Sequence, residues 1–207
     1  MIETLDLSNA CVTCSFQAED MVVLHQAIAR RPDIPVLFLE TGYHFKETLA
    51  YRDEMAAMWN LNLRNLSAEQ SVADQEAQFG ILNQTAPDRC CKLRKVEPLF
   101  AGLAGFEIWI TGLRREQSPS RANLQVTETF KLPSGEIQKI SPLATWTTRD
   151  VWAYLAQHDI PALALYDKGY TSIGCEPCTE LPFDPENARS GRWHGKKLEC
   201  GIHIQAE

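Results

Sequence analysis

The sequence predicts an α/β protein with a mainly parallel sheet, flanking helices and an irregular C-terminal tail. Two observations carry that prediction. Short apolar runs bounded by turns alternate with longer stretches whose apolar residues recur at helical spacing, the pattern of strands joined by crossover helices. Residues 166–207, by contrast, are rich in Gly, Pro and charge and show little periodicity. The 207 residues are expected to form one domain, whose segment 166–207 carries function rather than core.

Taken in order, residues 10–16 read as a buried strand and Glu19–Arg30 as a helix with apolar positions on one face. Pro35–Leu39 is a second apolar strand running into a turn at Thr41-Gly42. Phe45–Trp59 reads as helix, Leu61–Leu66 as strand and Ala68–Phe79 as helix. A further helix is expected from Lys92 to about Leu103, interrupted or restarted at Pro98. Glu107–Thr111 is a strand ending at Gly112, and Val126–Ile140 a hairpin turning at Pro133-Ser134-Gly135-Glu136. Thr147 and Thr148 open a last helix that runs to about His158.

Composition narrows the function. Net charge is −7, which disfavours a nucleic-acid binder. No stretch approaches the roughly 18 apolar residues of a membrane span. The acidic start, Met1-Ile2-Glu3-Thr4-Leu5-Asp6, lacks a signal peptide's basic and apolar regions. Seven cysteines without an export signal are expected to be reduced thiols in the cytoplasm. Basic residues nevertheless gather in three islands: Arg89, Lys92, Arg94 and Lys95; Arg114, Arg115 and Arg121; Arg189, Arg192, Lys196 and Lys197. Islands of that kind in an acidic chain suggest a focused anion site.

Parallel sheets bind ligands at the carboxyl ends of their strands, near the switch in strand order. Three motifs fall there: Ser15-Phe16-Gln17-Ala18-Glu19-Asp20, Leu39-Glu40-Thr41-Gly42, and Thr111-Gly112-Leu113-Arg114-Arg115. The first places a serine and backbone amides at a helix start, a phosphate seat or a simple N-cap. The cysteines divide into a tandem pair, Cys90-Cys91, a C-x-x-C, Cys175 and Cys178, and a single Cys200. Four thiolates suit an iron–sulfur cluster, with structural zinc and a metal-free set as the alternatives. Cys11 and Cys14 form another C-x-x-C, but on a strand they point to opposite faces, so buried packing is expected. His25 and His158 read as structural, His44 lies near the ligand turn without an assigned role, and Trp59, Trp109, Trp146 and Trp152 read as packing residues.

These strings, together with Thr41-Gly42-Tyr43-His44-Phe45, Gly112-Leu113-Arg114-Arg115-Glu116-Gln117-Ser118 and Glu199-Cys200-Gly201-Ile202-His203, resemble the assimilatory adenylyl-sulfate (APS) and phosphoadenylyl-sulfate (PAPS) reductases from about residue 10 to residue 203. The resemblance implies an adenine nucleotide alpha-hydrolase-like (Rossmann-like) fold. The tandem pair plus C-x-x-C resembles the iron–sulfur branch, with Cys90, Cys91, Cys175 and Cys178 holding a [4Fe–4S] cluster and APS as substrate. Ser15, Phe16, Gln17 and Leu39 would line the adenosine site. Lys95, Arg114, Arg115, Arg121, Arg189 and Arg192 would face the anion, with Lys95, Arg121, Arg189 and Arg192 the best matches to the phosphosulfate contacts. Gln17 stands where many relatives have a small residue. Self-association is implied by the resemblance alone.

The implied chemistry starts with attack of the Cys200 thiolate on the sulfuryl sulfur of APS. Its charge would be supported by Arg192, Lys196, Lys197 and His203, on a segment whose Gly191, Gly195 and Gly201 suit a mobile flap, with Trp193 shaping it. No thioredoxin-like module follows Cys200, so thioredoxin or glutaredoxin is the expected electron donor. A reductase acting on PAPS instead or as well, an adenylating ligase or sulfurtransferase, and a non-enzymatic iron–sulfur or zinc redox sensor are the competing readings. The missing Ser-Gly-Gly-x-Asp-Ser loop argues against the ligase, and idle arginines argue against the sensor.

Overall fold

The computed structural model describes residues 2–184, 187–195, 197 and 199–203. Its strands are β1 (Ala10–Thr13), β2 (Pro35–Glu40), β3 (Asn62–Ser67), β4 (Ile108–Ile110), β5 (Thr127–Leu132) and β6 (Gly135–Ile140), in the sheet order β3-β2-β1-β4-β6-β5. Every neighbouring pair is parallel except β5–β6, the predicted hairpin, which is antiparallel. The chain steps outward from β1 to β2 and β3, then returns to place β4 on the other side of β1. The carboxyl ends of β1 and β4 therefore form the switch point at which α/β sheets bind ligands.

Two apolar layers sandwich the sheet. On one face α1 (Ala18–Arg30) and α7 (Thr148–Gln157) cover Val12, Phe38 and Ile110 with Met21, Leu24, Val151 and Leu155. On the other, Leu99 and Leu103 pack with Cys11, Leu37, Trp109 and Phe130. Cys11 lies in the second layer and Cys14 in the first, both buried, as strand alternation requires. Burial pushes the Cys11 thiol up to about 12, the behaviour of a packing residue rather than a reactive one. The remaining named helices on the first half of the chain are α2 (Lys46–Met58), α3 (Val72–Phe79), α4 (Leu82–Thr85) and α5 (Pro87–Cys91). Helix α3 starts later than expected because Ser71, not Ala68, supplies the cap, its Oγ accepting from the Asp74 N–H at 3.1 Å. Thr147 caps α7 as predicted, in a reciprocal pair with Asp150.

The expected helix from Lys92 to Leu103 differs in a way that matters for the site. Helical structure starts earlier, at Pro87, passes through a π-helical turn over Lys92–Val96, and continues as α6 (Glu97–Leu103). Pro98 has no N–H to offer the carbonyl of Arg94, so the ladder widens there rather than breaking. The wide turn presents successive basic residues differently. Arg94 is buried and donates to Thr41 O, to Gln70 O at 3.3 Å and to Gln75 Oε1 at 3.2 Å, while Lys95 lines the central cavity.

Among the described residues, the segment from residue 166 onward is irregular, as predicted, but it is tied to the turn that follows β2. The backbone of Cys175 pairs with that of His44, and within the segment Thr179 pairs with Arg192. Gly191 is not a hinge: a Cβ there would stand 2.1 Å from the Glu180 carbonyl oxygen, so the glycine permits backbone contact. No helix among the described residues is long and apolar enough to cross a membrane.

Candidate active site

A cavity of about 490 Å³ opens at the switch point, between the β1, β2 and β4 carboxyl ends and the C-terminal tail. Of the residues expected to contact substrate, Ser15, Gln17, Leu39, Lys95, Arg114, Arg121, Arg189 and Arg192 line it. Phe16 and Arg115 do not. Phe16 holds a left-handed backbone (φ 59°) and turns its ring into the core, edge-on to Phe38 at 5.8 Å and Tyr51 at 6.4 Å. Arg115 is exposed and donates to the Leu124 carbonyl at 2.9 Å. Adjacent residues in a turn diverge, and sequence spacing alone could not tell Arg114 from Arg115.

The first loop is organised by a carboxylate that the sequence reading did not single out. Ser15 is not the N-cap of α1, a position taken by Gln17 without a side-chain bond. Ser15 N and Oγ both donate to Asp20 Oδ2 at 2.6 Å. Protein atoms crowd that carboxyl, although its surface keeps a rim at the cavity mouth. Desolvation raises its pKa to about 6 against the Ser15 hydrogen bonds. Gly112 completes the arrangement, because a Cβ there would lie 2.2 Å from Asp20 Oδ1 and 3.0 Å from the Asp20 nitrogen. Gln17 ties this loop to the tail by accepting from the Ile173 N–H at 2.8 Å.

Arg114 is buried and already matched. Its guanidinium donates to Glu19 at 2.7 Å and Glu116 at 2.9 Å, both scaffold carboxylates. It braces the cavity wall and has little charge left for a ligand. Arg121 and Arg189 converge on Glu199 of the tail, at 2.7 and 3.6 Å. Burial, together with the charges of Arg121 and Arg192, lowers Arg189 to about 10. Arg192 is buried over the Trp193 ring, 4.5 Å from its centroid, with Nε donating to Cys178 O at 3.4 Å. Trp193 packs with the cysteines rather than shaping a free flap.

Cys90, Cys91, Cys175 and Cys178 are all buried and unbridged. Cys91, Cys175 and Cys178 pack in one apolar cluster with Trp193, and Cys200 and Tyr43 lie against it. Thr41 Oγ1 is 3.3 Å from Cys175 Sγ, and Lys197 Nζ is 3.5 Å from Cys91 Sγ. Burial and then the charges of Cys91, Cys175 and Cys178 raise Cys90 to about 11. Among the described residues no three His, Cys, Asp or Glu side chains are placed to share a single metal ion.

Cys200 is half-buried at the cavity edge. The cations that act on it are partly not those expected. Burial opposes the charge of Lys95, but the electrostatic pull of Cys175, Cys200 and Cys91 wins and raises its pKa. Arg192 and Arg189 also interact with Cys200. Lys197 instead reaches Asp88 at 2.6 Å and Cys91, and Lys196 lies outside the described residues. His203 supplies no positive charge: it stacks on Trp109 at 5.4 Å, and burial followed by Lys139, Arg121 and Arg189 holds it well below the usual histidine range. His25 and His158 lie tilted against one another, ring centroids 4.9 Å apart, beside Tyr154 and away from the cavity, in the structural role expected. Trp152, read as a packing residue, packs edge-on to Tyr166 at 5.1 Å but is 38% exposed and lines the cavity.

The mainly parallel sheet with its cavity at this switch point fits the adenine nucleotide alpha-hydrolase-like class expected from the sequence. FMN adenylyltransferase of Candida glabrata shares that fold, with 16% identity, a TM-score of 0.60, and coverage of 86% of this chain and 58% of that one. More narrowly, the chain belongs to the phosphoadenosine phosphosulfate reductase domain family, whose model matches residues 9–181. It is 46% identical over 195 residues to adenosine 5'-phosphosulfate reductase of Streptomyces coelicolor, covering 93% of this chain and 81% of that protein. It is 43% identical over 200 residues to the Mycobacterium tuberculosis protein of the same name, covering 92% and 77%. Among solved structures, PAPS reductase from Candida auris in a phosphate complex is similar at 28% identity and a TM-score of 0.71, with 86% of both chains covered.

Proposed function

We propose that this protein is an oxidoreductase that reduces APS to sulfite and AMP in sulfate assimilation. The observation that carries the reading is the placement of Cys200 at the edge of the switch-point cavity, under the influence of Lys95, Arg189 and Arg192. The Cys200 thiolate attacks the sulfuryl sulfur, a new S–S bond forms, and the bridging S–O bond breaks to release AMP. Lys95, Arg189 and Arg192 bind the phosphosulfate and stabilise the charge growing on the leaving phosphate. A thiol of a dithiol protein, thioredoxin or glutaredoxin, then attacks Cys200 sulfur and expels sulfite, leaving a mixed disulfide. Its second thiol resolves that disulfide and restores Cys200. The relatives named adenosine 5'-phosphosulfate reductase support APS as the sulfonucleotide.

Cys90, Cys91, Cys175 and Cys178 fit a [4Fe–4S] cluster better than one zinc ion. All four are buried, Cys91, Cys175 and Cys178 in one patch and Cys90 within electrostatic reach of them, and among the described residues no three ligating side chains close on a single metal. A cluster takes one thiolate at each of several irons, so separated sulfurs are what it needs. When bound, it would supply an electrostatic neighbour to Lys95 at the end of the cavity.

Anaerobic turnover with reduced thioredoxin and either APS or PAPS, with sulfite quantified, tests the reading. Sulfite is expected from APS and is expected to vanish in Cys200→Ser. Sulfite formed chiefly from PAPS would overturn the substrate, and none from either nucleotide would overturn the reductase.

A further inference from the structure

Each cation of the cavity has its own kind of partner, and one differs from the rest. Arg114 is held by Glu19 and Glu116, which stay with the scaffold. The Arg121 and Arg189 pair is instead held by Glu199, a residue of the tail next to Cys200. Arg121 Nε and Nη2 donate to the two Glu199 oxygens at 2.8 and 2.7 Å, a bidentate fork. Ser120 Oγ adds 3.1 Å, and Arg189 Nη2 stands at 3.6 Å. Arg121 Nη1 is turned to Gln117 Oε1. The forked edge of Arg121 is thus occupied by a carboxylate, and side chains on both sides of the pair are only 11% exposed.

We infer that Glu199 is an internal competitor of the substrate: its carboxylate fills the Arg121–Arg189 seat, and the substrate's anionic group must displace it, moving Cys200 as it does so. The inference rests on the reading of this cavity as a sulfonucleotide site. Two anions cannot share one guanidinium fork, so an oxyanion reaches that edge of Arg121 only when Glu199 leaves. Glu199 and Cys200 are consecutive, about 3.8 Å apart along the chain, so the exchange repositions the nucleophile at the moment the substrate's charge arrives. Glu199 is then a positioning residue, whose release couples occupancy of the anion seat to the approach of the thiolate.

The test uses the full chain prepared anaerobically. In a Cys200→Ser background, which prevents turnover, Glu199→Gln is expected to bind APS about tenfold more tightly while adenosine binding stays unchanged. With Cys200 intact and no nucleotide, iodoacetamide is expected to alkylate Cys200 several-fold faster in Glu199→Gln. Inorganic sulfate is expected to accelerate that alkylation in the unsubstituted protein and not in the variant, a readout that needs no altered chain. APS binding that is unchanged or weaker in Glu199→Gln would overturn the competitor and make Glu199 a clasp on bound substrate. Alkylation unaffected by sulfate in the unsubstituted protein would overturn it independently. Failure of the Glu199-bearing protein to bind APS at any concentration, with the sulfate effect present, would instead overturn the nucleotide reading and leave the exchange at the arginines standing.

Discussion

Gly174 decides where Arg192 lies. A Cβ at this position would stand 2.1 Å from Arg192 Nη2 and 2.6 Å from its Cζ, so any larger residue pushes the guanidinium aside. The atom displaced is the end of a long side chain, which can move without unfolding the protein. Gly174→Ala is therefore expected to weaken APS binding roughly 10- to 100-fold with little change in thermal midpoint, measured by equilibrium binding and thermal denaturation. A variant that bound APS normally would remove Arg192 from the site. At this scale the sequence was informative about chemistry and weak about direction. Cys200 and the other four cysteines stood out in the sequence because few residue types can do the chemistry proposed for them, and the fold brings Cys91, Cys175, Cys178 and Cys200 to one end of the cavity. Phe16 and Arg115 were misassigned because the direction of a side chain in a turn follows φ, and Phe16 takes a left-handed φ that no local pattern announces. Asp20 went unnoticed for a related reason: its partners, Ser15 and Gly112, come from two separate loops.

At the scale of elements, two features position the chemistry. The π-helical turn over Lys92–Val96 lets Arg94 brace the Thr41 loop while Lys95 enters the cavity. Pro98 was visible as a blemish in the sequence, and the structure shows that it widens the helix. The tail is docked by Ile202 against the Trp109 layer and by His203 stacked on Trp109. Lys139 lies over the same indole at 5.4 Å, and Arg121 and Arg189 add their charges. Burial first, and then the charges of these three cations, disfavour protonated His203, so its folded-state pKa lies below its unfolded value of about 6.5. The unfolded chain then binds the extra proton first as pH falls, and the stabilisation present above that value is lost below it. Thermal midpoints of the unsubstituted protein are expected to fall relative to His203→Phe as pH drops from about 7 to about 5. A difference that stays flat over that range would show that His203 is not buried neutral against these cations. The stacking of His203 could not be read from sequence, because its partner is 94 residues away (203 − 109).

For the whole molecule, the strand order brings the three predicted loop motifs to one end of the sheet and lays the tail across them. That architecture was readable in advance because alternating strands and helices permit few topologies. The partition of the arginines was not, since it depends on which carboxylate each one meets. An acidic chain of net charge −7 thus gathers Lys95, Arg121, Arg189 and Arg192 at one cavity, which is where an anionic nucleotide meets positive charge. The central claim is that the cysteine of the tail, and no other thiol, takes the sulfo group from APS. The most direct measurement is the mass of the intact, anaerobically prepared protein after incubation with APS and without any thiol reductant, followed by peptide mapping. One sulfo group on Cys200, with one equivalent of AMP released and sulfite freed only when thioredoxin is added, is the predicted result. Sulfite appearing with Cys200 unmodified and no thiol donor present, or a sulfo group carried by another cysteine, would contradict it.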